Sequence, residues 1–570
     1  MSVSAEAPAP VRSPAEQTER AHGRLEELLF SSLAVPLAGG LAIIATVGLI
    51  LGATRPAITA DEGTALSTAK AALSGVHEWI GMLAPPIQVV LYVPFFSLGH
   101  PEFASVVPAL FGALLLVLVV AVAWRITGIL WAGAIAGLLL LSSPEYWQRS
   151  SHLAAYQTFV FFGYLGLVSI ASARRSARWA TWLAVGGGVA LALSVCSFSS
   201  GLLFLPAAFL AAVAGRAPRR PALWGPAVAG VLLVPFAVWH VAVAGVRNAW
   251  FYPYNFLLVD YSEDFERFLN RPHYDLPGYV TQALPDMLLG AAPIWLWLLA
   301  GLGFLVIGKA HGARISVALA GAMVAALLPF IAVEQPPHAR YGYVLVPGIA
   351  LIAGIGLTLA LRSLVRNRAG QRLLIVAASL LAVVGASAAV SIHLDQVKAE
   401  RGSSQYAELQ DVAGRVDDHR ALLARTSYLQ VLLPDNLVYT HFFFSEAEYI
   451  DYVLWEDEEK VRQLFADRDI GWVVVQKNVW RWERDFNWWA YTATGDPPRH
   501  YVCLPQSAGF TQVYDGQFFA LYKVDVDEGW LQSESVSGSC VVPSCELQTL
   551  PGDWRLGSGQ TDGNYYCEPP

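Results

Sequence analysis

Long apolar runs alternate with short polar segments over residues 33–393, whereas residues 394–570 have the mixed pattern of a globular domain. The first run, 33–52, has about 20 residues and no charge. At about 1.5 Å rise per residue it can cross a hydrocarbon core of about 30 Å. Further runs lie at 103–124, 127–143, 156–173, 179–196, 201–215, 222–246, 288–308, 315–333, 342–361 and 373–392. The pattern predicts an all-α polytopic membrane domain of about eleven spans.

The chain before the first run is polar and rich in Pro, Ala and Glu. A secretory signal peptide would have a shorter apolar core followed by a small-residue cleavage site. We therefore expect residues 1–32 to form a cytoplasmic tail and residues 33–52 to be an uncleaved first span.

The distribution of basic residues predicts the orientation. With the N-terminus inside, thirteen Lys and Arg residues fall in five short inner loops, whereas the short outer loops carry only Arg149 and Arg340. Cytoplasmic loops are enriched in Lys and Arg. We therefore expect a multi-pass protein of the cell membrane with a cytoplasmic N-terminus and an extracytoplasmic C-terminal domain.

One apolar segment, residues 85–99, does not fit as a span. It has about 15 residues and contains Pro85, Pro86 and Pro94. Counting it as a span would move every later basic loop outside. We interpret it as a helix lying along the outer leaflet, within a first outer loop that runs over residues 53–102.

The composition agrees with this division of the chain. Charged residues make up 14%, against about 25% in soluble domains. The net charge of -8 lies mostly in residues 394–570, and no basic stripe indicates a nucleic-acid partner. In that region, runs at 437–443, 472–476 and 518–524 predict strands, with a charged helix near 456–467. We expect a small extracytoplasmic α/β domain.

Two features of this domain leave alternatives open. The four cysteines Cys503, Cys540, Cys545 and Cys567 favour two disulfides in an oxidising compartment. A zinc site competes with this interpretation, but the domain has no paired CxxC. The tryptophans between residues 480 and 489 belong either to the domain core or to a sugar- or membrane-facing patch.

The candidate chemistry begins with Asp61 and Glu62, about ten residues after the first span. Paired acids in an outer loop are ordinarily solvated charges. Here, two other polar outer segments, 143–152 and 336–341, accompany them on the predicted outer face. Acidic, basic and aromatic groups therefore converge on one side of the membrane.

The order and spacing of several motifs resemble the GT-C integral-membrane glycosyltransferases, especially the protein O-mannosyltransferase and aminoarabinose-transferase group (glycosyltransferase family 39-like). The resemblance covers about residues 33–393. The motifs are Asp61-Glu62, Pro85-Pro86, the 110–114 segment LFGAL, Ser143-Pro144 followed by Tyr156, and Arg340-Tyr341 followed by Pro347.

The resemblance implies a function. The donor would be a sugar, of mannose or arabinose type, on a polyprenyl phosphate, and the acceptor a glycan, lipid or protein on the outer face. Asp61 would be the catalytic carboxylate, with Glu62 beside it, deprotonating or orienting the acceptor hydroxyl. The implied donor-phosphate contacts are Arg149, His152, Arg340 and Tyr341.

The sequence departs from the family at two positions. Ala84 stands where relatives often have His or Glu, which leaves a divalent metal open, with His77 and Glu78 as weak candidate ligands. Ala154 stands where relatives often have Arg, which shifts phosphate binding toward Arg149 or His152. No other cofactor is implied.

A transporter or flippase of lipid-linked sugars is the alternative function. Transporters place ionisable residues at mid-membrane. The predicted spans are nearly free of charge, and their polar groups cluster at the outer face, which favours surface chemistry.

Overall fold

A computed structural model describes the greater part of the chain. The described residues are 60–76, 86–153, 155–173, 179–213, 220–251, 281, 284–311, 342–364, 368–424, 426, 428–440, 458–476, 478–480, 504, 507, 509–525, 545–549 and 562–567.

The described part of the membrane region is helical. Its helices are α1 (Ala60–Leu73), α2 (Pro86–Ser97), α3 (Val106–Thr127), α4 (Leu130–Leu141), α5 (Pro144–Ser151), α6 (Tyr156–Ala173), α7 (Ala180–Ser197), α8 (Phe204–Val213), α9 (Arg220–Phe251), α10 (Leu284–Ala291), α11 (Ile294–His311), α12 (Val346–Leu364) and α13 (Arg368–Arg401). Short 3-10 turns at Pro101–Ser105, Ser199–Leu203 and Tyr343–Leu345 precede α3, α8 and α12.

These helices confirm a multi-pass membrane protein. Among the described residues, six helices have the length and hydropathy needed to cross a bilayer, and four shorter apolar helices accompany them. Nine of the predicted spans coincide with helices. The predicted spans 33–52 and 315–333 lie outside the described residues.

Close approaches at small residues hold the helices together. Helix α7 packs against both α6 and α9. A Cβ atom on Gly187 would lie 3.0 Å from the carbonyl oxygen of Gly166, and one on Gly188 would overlap the carbonyl oxygen of Gly225. Glycine lets these backbones meet, as is common between membrane helices.

The C-terminal region is a small α/β domain, as predicted. Its elements are α14 (Ser404–Ala413), β1 (Ala421–Ala424), α15 (Leu429–Leu432), β2 (Val438–Tyr439), α16 (Glu458–Asp467), β3 (Ile470–Gln476), β4 (Asn478–Trp480), β5 (Phe510–Asp515), β6 (Phe519–Val524), β7 (Cys545–Thr549) and β8 (Asp562–Cys567). The strands form a five-stranded mixed sheet of order β2-β1-β3-β6-β5 and a three-stranded sheet of order β4-β8-β7.

The predicted elements of this domain match in part. Strands β3 and β6 and helix α16 lie where the pattern indicated. The predicted strand 437–443 is reduced to Val438–Tyr439, and residues 441–443 lie outside the described residues. The last membrane helix, α13, continues to Arg401 and thus past the predicted domain start at residue 394.

The C-terminal domain packs on the predicted first outer loop. Ala71 of α1 and Val89 of α2 share an apolar cluster with Leu423 and Tyr439 of the five-stranded sheet. Val431 of α15 packs against a second cluster, whose members include residues of α1, α2 and α3. Residues 86–97 thus form a short helix against the domain, and the non-spanning interpretation of 85–99 stays a prediction.

The topology can be tested with reporter fusions. Helix α13 has 34 residues, or about 51 Å at about 1.5 Å per residue, so it can carry the chain across the membrane. A reporter that is active only outside the cytoplasm should be active when fused after Asp395 and silent when fused near Arg368. The reverse pattern would contradict the orientation.

The cysteines give a second prediction. The register of β7 and β8 pairs Cys545 with Cys567, and directly opposed residues of antiparallel strands have Cα atoms about 4.5–5.5 Å apart, within the range that a disulfide spans. Cys503 and Cys540 lie outside the described residues. We expect peptide mass mapping of non-reduced protein to recover a Cys545–Cys567 link and a second disulfide. Four free thiols would refute this.

Candidate functional site

Helix α5 lies between α4 and α6, at the predicted outer face. It begins at Pro144, whose fixed φ suits the first turn, and Ser143 caps it by accepting a hydrogen bond from the Tyr146 backbone N–H. The Ser143 hydroxyl also donates to the Ala291 carbonyl oxygen at 2.9 Å. The Ser143-Pro144 pair thus fixes both the start of α5 and its attachment to α10.

A buried ion pair lies on α5. The Arg149 Nε donates to a carboxylate oxygen of Glu145 at 2.8 Å, one helical turn away. The two residues are only 8% and 6% exposed. The Arg149 guanidinium carbon also lies 5.2 Å from the centroid of the Tyr156 ring, in cation–π geometry. The charge of Arg149 is therefore neutralised within the protein.

His152 completes this cluster at the end of α5. Its Nδ1 lies 3.5 Å from Nη1 of Arg149, and the residue is 4% exposed. Of the four predicted phosphate contacts, the structure thus brings Arg149 and His152 together. A phosphate reaching Arg149 would compete with the Glu145 carboxylate for the same guanidinium.

A buried hydrogen-bond network ties this helix to its neighbours. The Tyr146 hydroxyl donates to the Gly112 carbonyl oxygen of α3 at 2.8 Å. The Gln157 amide nitrogen donates to the Tyr146 carbonyl oxygen at 3.4 Å and to the Ser150 hydroxyl. The Tyr343 hydroxyl donates to the Gln157 Oε1 at 2.5 Å. The network therefore joins α3, α5 and α6 to the turn that precedes α12.

This network bears on Arg340 and Tyr341, which themselves lie outside the described residues. Tyr343 lies three positions after Arg340 and two after Tyr341, and it is fully buried. Its hydrogen bond to Gln157 anchors the chain next to Tyr341 at the start of α6. The turn that precedes α12 is thus joined to the start of α6.

The acid pair lies on a helix that packs near the same cluster. Asp61 and Glu62 fall in the first turn of α1. The sequence pattern had predicted a loop for both residues. Leu66 of α1 shares an apolar cluster with Leu153, the neighbour of His152. The Tyr92 hydroxyl of α2 donates to the Leu153 carbonyl oxygen at 2.7 Å. The outer-loop helices therefore contact the chain directly after α5.

The metal prediction stays open. The described residues contain no group of three His, Cys, Asp or Glu side chains that could hold an ion. His77 and Glu78 lie outside the described residues.

Sequence reasoning missed three residues of this site. Glu145 was noted only as part of a polar loop, although its spacing of four from Arg149 on a helix predicts an ion pair. Gln157 and Tyr343 are 186 positions apart, and nothing in the local pattern of either one indicates the other.

Several solved protein structures are similar to this fold. No protein-family model and no curated protein sequence matches the chain. ArnT from Cupriavidus metallidurans bound to undecaprenyl phosphate superposes with a TM-score of 0.58 at 15% identity, over 86% of this chain and 97% of ArnT. The apo form of ArnT gives a TM-score of 0.59 at 14% identity, over 87% and 99%.

A third structure extends the comparison. The oligosaccharyltransferase of Archaeoglobus fulgidus, tethered to an acceptor peptide with an NVT sequon, superposes with a TM-score of 0.52 at 15% identity, over 87% of this chain and 74% of that protein. These proteins have the GT-C fold. The chain shares it, and the fold predicted from the motifs is confirmed.

Proposed function

We propose that the chain is a membrane glycosyltransferase that moves one sugar, of mannose or arabinose type, from a polyprenyl-phosphate donor to an acceptor on the outer face. The observation that carries this proposal is the meeting of two elements on a GT-C fold. Helix α1, which bears Asp61 and Glu62, packs through Leu66 against Leu153, directly beyond the Arg149–His152 cluster.

In the proposed reaction, the acceptor hydroxyl attacks the anomeric carbon of the donor sugar. A new bond forms between the acceptor oxygen and this carbon, and the bond from the carbon to the phosphate oxygen breaks. The hydroxyl proton passes to the Asp61 carboxylate, and polyprenyl phosphate leaves as an anion. The anomeric centre inverts because attack and departure occur on opposite sides.

The donor-phosphate contacts belong to the same proposal. Arg149 and His152 supply charge-assisted hydrogen bonds to phosphate oxygens, and Arg340 and Tyr341 are the other two proposed contacts. ArnT bound to undecaprenyl phosphate supports a lipid phosphate as the leaving group. A phosphate at Arg149 would compete with the Glu145 carboxylate for the charge of the guanidinium, so we expect donor binding to weaken their ion pair.

The test is a mass-spectrometric comparison of cell-envelope glycans with and without this protein. Cells that lack it should lose one modification with the mass of a single hexose or pentose, and the wild-type gene should restore it. Unchanged glycans would contradict the proposal. A lipid-flipping assay in vesicles would then test the transporter alternative.

A further inference from the structure

Helix α5 is short and buried. It has eight residues, six of them buried. So short a helix gains little stability from its own backbone hydrogen bonds, so contacts with neighbouring elements hold it in place. The Ser143 hydroxyl donates to the Ala291 carbonyl oxygen, and the Trp147 indole nitrogen donates to the Leu141 carbonyl oxygen at 2.7 Å. These bonds fix the first half of α5, and the last turn, which carries Arg149, needs a separate attachment.

A series of hydrogen bonds supplies this attachment. The Tyr343 hydroxyl donates to the Gln157 Oε1 at 2.5 Å. The Gln157 amide nitrogen donates to the Ser150 hydroxyl, which donates to the Tyr146 carbonyl oxygen at 2.6 Å. Because all three bonds run in the same direction, each one polarises the next. The series starts on the turn that precedes α12 and ends on the backbone of α5.

The series is closely enclosed. Tyr343, Gln157 and Ser150 are all fully buried, so bulk water does not readily replace a bond that is lost. A Cβ atom on Gly112 of α3 would lie 2.5 Å from the Ser150 hydroxyl oxygen and 3.1 Å from the Gln157 amide nitrogen. The backbone of α3 therefore lies directly against the bond between these two side chains and leaves them little room to move.

The same stretch of α6 also contacts Arg149. Tyr156, which directly precedes Gln157, has its ring centroid 5.2 Å from the Arg149 guanidinium carbon. Ser150 directly follows Arg149 and accepts the hydrogen bond of Gln157. Two consecutive residues at the start of α6 thus hold two consecutive residues in the last turn of α5.

We infer that Tyr343 and Gln157 are positioning residues, which hold the last turn of α5 so that Arg149 and His152 are oriented for the donor phosphate. This inference rests on the proposed function. Neither positioning residue needs to touch the donor. A site that is ordered before its ligand arrives loses less conformational entropy on binding. Loosening this turn therefore weakens donor binding and leaves the chemical step, which is proposed for Asp61 on α1, unchanged.

The test variant is Tyr343→Phe in the full-length protein. Phenylalanine keeps the ring and removes the hydroxyl, so the Gln157 Oε1 loses its donor. Purified protein is assayed for transfer from a polyprenyl-phosphate sugar to envelope extract. The KM for the donor should rise about tenfold, the effect of about one lost buried hydrogen bond. The kcat at saturating donor should stay near the wild-type value, because only binding is affected.

Tyr164→Phe is the matched control. The Tyr164 hydroxyl donates to the Val344 carbonyl oxygen and accepts from the Gly348 backbone N–H, both at 2.9 Å. It thus ties α6 to the same turn as Tyr343 does, but these two bonds do not involve α5. The control variant loses two hydrogen bonds and should lower the thermal midpoint at least as much as Tyr343→Phe. Its donor KM should nevertheless equal that of the wild type.

Ser150→Ala tests the same series from the side of α5. It removes the hydroxyl that links Gln157 to the helix and is a small change in side-chain volume. The donor KM should rise several-fold. The effects of Ser150→Ala and Tyr343→Phe should not add in the double variant, because both substitutions break one series of bonds.

The outcomes separate this inference from the proposed function. A donor KM that is unchanged in Tyr343→Phe, or that rises equally in Tyr164→Phe, would overturn the inference and leave the glycosyltransferase in place. If Tyr343→Phe does not fold, an unchanged donor KM in Ser150→Ala overturns it instead. A wild-type protein that transfers no sugar would remove the proposed function, and the positioning role with it.

Discussion

Asp61→Asn should reduce sugar transfer by about 10²–10⁴-fold, the usual contribution of general acid–base catalysis. The substitution keeps the size of the side chain but removes its charge and basic site. Donor binding should change little, because the proposed phosphate contacts lie on α5 and before Tyr343. The measurement is the transfer rate of purified protein with a polyprenyl-phosphate donor, together with the affinity for that donor.

Glu62→Gln is the matched control, since it makes the same chemical change one position further along α1. It should cost less if Glu62 only supports Asp61. Acidic residues in the first turn of a helix are also favoured by the unpaired backbone N–H groups there. If that is their whole role, both variants transfer sugar at nearly the wild-type rate. An Asp61→Asn protein with the wild-type rate would remove Asp61 from the mechanism.

Glu145→Gln should destabilise the protein by about 3–5 kcal/mol, because it leaves the Arg149 guanidinium buried without its counter-ion. The pair is 2.8 Å long, and both side chains are less than a tenth exposed. If Arg149 binds the donor, undecaprenyl phosphate should restore part of this loss by supplying the missing negative charge. Thermal unfolding in detergent, with and without the lipid phosphate, measures both effects.

Two control variants test whether the loss of stability comes from the buried charge of Arg149. Asp411→Asn breaks the Asp411–Arg415 pair, which has the same spacing of four residues but is 42–52% exposed, and should cost about 0.3–0.5 kcal/mol. The double variant Glu145→Gln with Arg149→Met removes the orphaned charge and should recover most of the stability. A lipid phosphate that stabilises the wild type and the Arg149→Met variant equally would exclude Arg149 as a donor contact.

The membrane helices were predictable because a run of about 20 apolar residues is a strong local signal. Strand β1 of the C-terminal domain was not, and β2 was predicted only with too great a length. Strand β1 has four residues and β2 has two, too few for an alternating pattern to stand out. Helix α1 was missed because its many small residues, such as Ala65 and Ala69, give no apolar stripe before their packing partners are known.

Several residues of the candidate site were predictable from the sequence, but their pairing was not. The types and order of its residues were visible in the sequence, whereas the predicted side of the membrane stays a prediction. Their pairing was not visible, because the partner of each buried group is chosen by tertiary packing. The contact of Arg149 with Glu145 was not foreseen from the sequence, and its predicted contact with a phosphate stays a prediction. The sequence did not indicate a role for Gln157, whose amide group hydrogen-bonds to both Tyr146 and Tyr343 in the structure.

The uninterrupted helix from Arg368 to Arg401 has a mechanical consequence. It runs from the predicted inner loop that precedes the last span to the start of the C-terminal domain without a break. A rod of about 51 Å that tilts by about 10° moves its far end by about 9 Å. A continuous helix couples the domain to the last span, so any rocking of the domain would also tilt that span within the membrane.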